Sequence, residues 1–126
     1  TIGGINMLKQ DYLLRQVESL AMSLSKLFFN KDMVQYKLEE KDNLSDTDIL
    51  YSKLGKLVSE GKINEAENLL FDEIDKSNIE YLRVGIDFYT NLNRLEDKVL
   101  EAHNYSREEI EQGLHDLSSE YGINLS

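Results

Sequence analysis

Leu13, Val17, Leu20, Leu24 and Leu27 follow one another at intervals of 4, 3, 4 and 3. Those intervals bring all five to one face of an α-helix; a strand, whose side chains alternate with period two, would scatter them over both faces. Leu14, Ala21 and Phe28 recur every seven beside them and widen the stripe. A face this broad has to be buried, against the rest of the chain or against a second copy. Two heptads are too few to specify a coiled coil. The spacing predicts a first helix over about 8–29. Asp11 stands in its first turn, where the helix dipole favours a negative charge, and pairs with Arg15 at i,i+4.

Nothing in the chain interrupts helices of this kind. There is no proline among 126 residues, and proline is the residue that removes a helical hydrogen bond and clashes with the preceding turn. Forty per cent apolar residues is enough for a packed core, and the length suits one domain. Residues 1–7, with Gly3 and Gly4 adjacent and no periodic pattern, are expected to be a flexible leader or a remnant of expression. Residues 8–126 are expected to form a single all-α domain of five to six helices in antiparallel hairpins, arranged as a repeat-like stack or a bundle.

Charge narrows the partners. The formal net charge is −10, which repels phosphate backbones and anionic lipid headgroups. The nearest approach to a basic cluster, Lys53, Lys56 and Lys62, is diluted by Glu60, Glu65 and Glu67. Neither nucleic acid nor a membrane is therefore an expected partner. No apolar run exceeds three residues, against the roughly 20 a spanning helix needs. The absence of cysteine excludes disulfides and thiolate chemistry and fits a reducing, cytoplasmic setting.

Turn and cap residues place the remaining elements. Asn30, Lys31 and Asp32 form a turn, and a short helix is expected over about 33–40, then a charged linker to Ser45. Ser45 followed by Asp48 is a capping-box pattern opening a helix to about residue 60, with Ile49, Leu50, Leu54, Leu57 and Val58 on one face. Gly61 suits the left-handed residue that ends it. Further helices are expected over about 64–76, from Ser77 or Asn78 to about residue 92, and over about 95–102. The last begins at Ser106 with Glu109 three residues on, has Tyr105 and Ile110 spaced as a hydrophobic staple, carries Ile110, Leu114, Leu117 and Tyr121 as its stripe, and stops at Gly122.

Catalytic and metal patterns are sparse. Glu111 and His115 are an i,i+4 pair on the last helix, but neither His103 nor His115 has an acid three residues before it, as paired helical di-metal sites require. A surface pair is expected, with no metal and no cofactor. Adjacent carboxylates such as Glu108 and Glu109 do not face one another on a helix and make poor acid–base partners. Arg83 and Asp87, i,i+4 among apolar residues, are expected to form an ion pair.

An internal echo relates Tyr51, Lys53, Leu54 and Gly55 to Tyr81, Arg83, Val84 and Gly85. In the first copy the turn follows as Gly61-Lys62-Ile63; in the second it is Asn93-Arg94-Leu95, with Asn93 as the alternative left-handed residue. Both Gly55 and Gly85 fall inside expected helices, where glycine costs about 1 kcal/mol against alanine unless a neighbour approaches closely. The stretch Gly61-x-Ile63-x-Glu65-Ala66 resembles the elbow of a tetratricopeptide repeat, with Leu69, Leu70 and Ile74 matching its second helix. Leu54-Gly55 lies one residue out of phase with the usual pair of the first helix. The resemblance implies a peptide-binding face on the first helix of each hairpin, which here offers Asp48, Tyr51, Gly55 and Ser59. That set has no cation to hold a terminal carboxylate. The opening Asp11-Tyr12-Leu13-Leu14-Arg15-Gln16-Val17-Glu18, the block from Gly61 to Leu70, and the tail Tyr105-Ser106-Arg107-Glu108-Glu109-Ile110 with Gly113-Leu114 also resemble a family of small helical proteins of Gram-positive bacteria, for which no activity is known.

The function expected from these features is a non-enzymatic protein–protein interaction module, with self-association through helix one as one route. The alternative is a small enzyme or ligand binder with a tyrosine- and carboxylate-lined pocket between helices, built around Arg83, Asp87 or His103.

Overall fold

The first helix, α1 (Ile2–Phe29), starts six residues before the expected boundary and carries its broad stripe into the molecule. A computed structural model describes residues 2–38 and 42–124, with side chains from residue 7 onward. Leu13, Val17, Ala21 and Leu24 are buried, with Leu20 and Phe28 packed beside them. Leu27 is not part of the seam: it is 59% exposed. A straight helix turns away from a seven-residue repeat by about 20° per heptad, so a stripe fixed at Leu13 has drifted off Leu27 two heptads later. Ser25 faces inward instead, its Oγ donating to the Ala21 carbonyl at 2.7 Å and accepting from the Val34 N–H at 3.1 Å.

After the turn at Asn30, which takes the left-handed φ of 55°, residues 33–38 run extended; the short helix expected there does not form. The local sequence alternates Val34, Tyr36 and Leu38 with polar residues, and the first two point inward. The Tyr36 N–H donates to Asp87 Oδ1 at 3.3 Å, and its hydroxyl donates to Asp48 Oδ1 at 2.6 Å and lies within hydrogen-bond distance of the Thr47 hydroxyl, at 2.8 Å. These bonds fasten the segment as a strap, and a helix there would forfeit them. Glu39 and Glu40, at the end of that expected helix, lie outside the described residues.

The other helices follow their caps. Ser45 opens α2 (Asp46–Ser59) with a reciprocal capping box: its Oγ accepts from the Asp48 N–H, and its own N–H donates to Asp48 Oδ2. Gly61, at φ 78°, makes the elbow to α3 (Ile63–Glu73), with the Lys62 N–H returning to the Leu57 carbonyl. Asn78 caps α4 (Ile79–Asn93), α5 (Asp97–Ala102) follows, and Ser106 caps α6 (Arg107–Glu120). Tyr105 and Ile110 are both buried, as a staple requires. Asn93 does not take the left-handed conformation expected of it; Asn104, at φ 59°, does. The second turn therefore does not copy the elbow at Gly61.

Six helices and no strand make up the described residues. α4 is the centre of the bundle. It packs on α1 and α6 along one side and on α2 along the other, while α3 folds back on α2. Its sequence shows why: Leu82, Val84, Ile86, Phe88, Tyr89 and Leu92 are all buried, as a helix enclosed on most sides demands.

Candidate functional site

Where α2 meets α4 the packing stops short of closure and leaves an apolar groove of about 240 Å³. α2 lines it with Tyr51, Leu54, Gly55 and Val58. α4 supplies Phe88 and Leu92 opposite, and Asp87 with Asn91 forms its polar end. The volume falls below the roughly 300–1,000 Å³ of pockets that enclose a small-molecule ligand. It suits one or two side chains. Of four larger hollows among the described residues, the two widest, one under the strap near Tyr36 and Arg83 and one between α3 and α6, are open and lined mostly by polar or charged residues.

Gly55 gives the groove its shape. A Cβ built there meets nothing within 4 Å. The glycines elsewhere serve the fold. Gly61 and Gly122 hold positive φ. At Gly85 a Cβ would come within 2.7 Å of Leu117 Cδ2, and at Gly113 it would strike the ring and hydroxyl of Tyr89. The expected close approach of a neighbouring helix thus exists at Gly85 and is missing at Gly55.

Asp87 is the charged group of the groove and is 5% exposed. Its Oδ1 accepts from the Tyr36 N–H at 3.3 Å and its Oδ2 from Asn91 Nδ2 at 2.9 Å. Burial pushes its carboxyl above the ordinary value, and the hydrogen bonds from Tyr36, Asn91 and Tyr51 and the charge of Arg94 oppose that rise. Tyr51 in turn is raised, by burial first and then by the charge of Asp87. Its ring packs against Tyr36 with centroids 4.9 Å apart.

Of the expected partner face, then, Tyr51 and Gly55 line one groove, and Asp87, a further candidate for partner contact, lines it with them. Asp48 and Ser59 do not join them. Asp48 is buried at the N-terminus of α2, used by the cap and by Tyr36; Ser59 Oγ donates to the Lys56 carbonyl of its own helix. The Arg83–Asp87 ion pair is not formed. Arg83 Nε bonds Glu80 at 3.2 Å and its guanidinium lies 4.4 Å from the centre of the Phe29 ring, on the α1 side of α4, whereas Asp87 turns towards the strap and α2. His103 is elsewhere again, its ring against Gly61 and its Nδ1 buried without a hydrogen-bond partner. Among the described residues, no three His, Asp or Glu side chains gather as metal ligands, and no helix is long and apolar enough to cross a membrane.

Two polar knots on the far side of α4 escaped the sequence reading. Arg107, 2% exposed, donates to the Asn93 and Leu95 carbonyls, both at 2.7 Å, and to Asp97 Oδ1 at 2.8 Å. Asn93 Nδ2 donates onward to the Leu14 carbonyl of α1 at 3.0 Å. The signal was an arginine in the first turn of α6, where the helix dipole disfavours a cation. The second knot is Glu67 Oε2, which accepts from the buried hydroxyls of Tyr89 at 2.5 Å and Tyr105 at 2.8 Å. Both tyrosines are pushed up strongly, by burial first and by the Glu67 charge second.

No curated protein and no solved structure matches the sequence. A family model does, over residues 7–122, which takes in α2, α3 and α4 whole and with them every residue of the groove. The chain belongs to that family, the family of unknown function DUF6483.

Proposed function

We propose that the protein is a helical interaction module and that the groove between α2 and α4 receives side chains of a protein partner. The carrying observation is Gly55. A mid-helix glycine costs about 1 kcal/mol against alanine, and no contact among the described residues requires it, since a Cβ would stand in open space. A partner whose backbone comes close over Gly55 gives the glycine its use. The reading draws some support from the tetratricopeptide-like elbow at Gly61, which makes α2 the first helix of its hairpin with α3. A cytoplasmic setting fits the cysteine-free composition.

The rival, a small enzyme or ligand binder, draws less support: Arg83, Asp87 and His103 sit in three separate environments. Self-association through α1 also loses most of its motive, because Leu13, Val17, Ala21 and Leu24 are spent inside the molecule.

Affinity capture from the native cell with wild type and with Gly55→Leu tests the proposal. A leucine there starts from a Cβ in open space and adds bulk beside the groove. A protein retained by wild type and lost by folded Gly55→Leu is the expected result. Equal retention by both would remove the groove as the recognition surface.

A further inference from the structure

The groove is mostly apolar with one acid in its lining, and that acid feels the Arg94 charge only at a distance. Asp87 forms no ion pair among the described residues. Arg94, whose charge acts on Asp87, stops one residue short of it: its Nη1 donates to Asn91 Oδ1 at 3.1 Å, and Asn91 Nδ2 then reaches Asp87 Oδ2 at 2.9 Å. A buried carboxylate is costly unless it is both hydrogen-bonded and paired. Asp87 has the hydrogen bonds. Asp87 lines the groove together with Tyr51 and Asn91, and from the groove a pairing cation can arrive.

Resting on the groove reading above, we propose that the occupant is a segment of a partner protein that presents a lysine or arginine beside apolar residues. The apolar side chains seat against Leu54, Val58 and Leu92, the segment's backbone passes over Gly55, and the cation meets the Asp87 carboxylate. The chain's net charge of −10 draws the same class of partner at longer range. A basic amphipathic stem also fits the shape, because lysine and arginine lay an apolar stem along such a wall and keep the charge for its end.

Three matched helical peptides of about 15 residues make the test, with one leucine stripe and a central lysine, norleucine or glutamate. Each is titrated into ¹⁵N-labelled wild type, Asp87→Asn and Gly55→Leu at fixed salt, and binding is read from amide shifts. The lysine peptide is expected to bind wild type most tightly, shifting Gly55, Val58 and Asn91. Asp87→Asn is expected to weaken it about tenfold and to abolish its advantage over norleucine. Equal binding of the lysine and norleucine peptides to wild type overturns the cation assignment, as does an advantage that survives in Asp87→Asn or a lysine peptide that fails to bind. The groove reading fails separately, when Gly55→Leu binds the peptides as wild type does or when the shifts lie away from the groove.

Discussion

Two faces of α4 are packed to different standards. Towards α6, space left by missing side chains is taken: Leu117 fills the place of a Cβ at Gly85, and Tyr89 of α4 fills the one at Gly113. Arg107, Asn93 and Glu67 then satisfy the polar groups that this burial encloses. Towards α2, Gly55 faces open space, an apolar groove remains between the helices, and a carboxylate is buried without a direct ion pair among the described residues. Protein interiors are normally packed to the density of organic crystals, and the α6 face meets that standard. The α2 face falls short of it around a glycine and a carboxylate, where the proposed partner would dock.

If the α6 face carries the stability, the largest loss belongs to Arg107. Arg107→Ala strips donors from the Asn93 and Leu95 carbonyls and from Asp97, and should cost about 3 kcal/mol, read as a shift of the urea midpoint. A loss below about 0.5 kcal/mol, the range of an ordinary surface change, would mean that the knot is dispensable and the two faces are less unlike than they look. Tyr105→Phe is the smaller cut. It removes one of two hydroxyls from Glu67 and should cost about 1–2 kcal/mol.

The tyrosines also set an alkaline limit. Tyr89 and Tyr105 are raised above their ordinary 10.0, so the stability they contribute is complete below that value and is lost as pH rises above it, where the unfolded chain ionises first. Absorbance near 295 nm should show these two ionising only with unfolding, while Tyr121, raised to about 12, titrates earlier. Early ionisation of Tyr89 and Tyr105 would show the α6 face to be open to water.

The groove has a pH signature of the same sign, moved to the acid range, and the smallest effect. Asp87 is raised above 3.8, so its neutral form contributes stability that is complete below pH 3.8 and is lost as pH rises through the folded value. The stability of wild type relative to Asp87→Asn should therefore fall over that interval in paired urea titrations. A rising difference would mean that the hydrogen bonds to Asp87 outweigh its burial.

Local chemistry made much of this architecture readable. The caps at Ser45, Asn78 and Ser106, the elbow glycine and the Tyr105–Ile110 staple are each fixed by residues close in sequence. What could not be read depends on distant groups. The strap at residues 33–38 takes its conformation from Ser25, Asp48 and Asp87, and nothing within the strap itself names those partners. Arg83 and Asp87 are correctly spaced for an ion pair, but Phe29 and Glu80 on one side and Tyr36 on the other pull them apart. Of the groove, Tyr51 and Gly55 were legible as one helix face; that Asp87 closes its end required knowing that α4 lies opposite.

The contrast between the two faces comes down to glycines, and one denaturation series reads it. Gly55→Ala, Gly85→Ala and Gly113→Ala are to be compared with wild type by urea unfolding. Gly55→Ala should be more stable by up to about 1 kcal/mol, while Gly85→Ala and Gly113→Ala should each lose about 1–3 kcal/mol through overpacking. If Gly55→Ala is destabilised as the other two are, its glycine serves the fold, and the groove has no claim to have been kept for a partner.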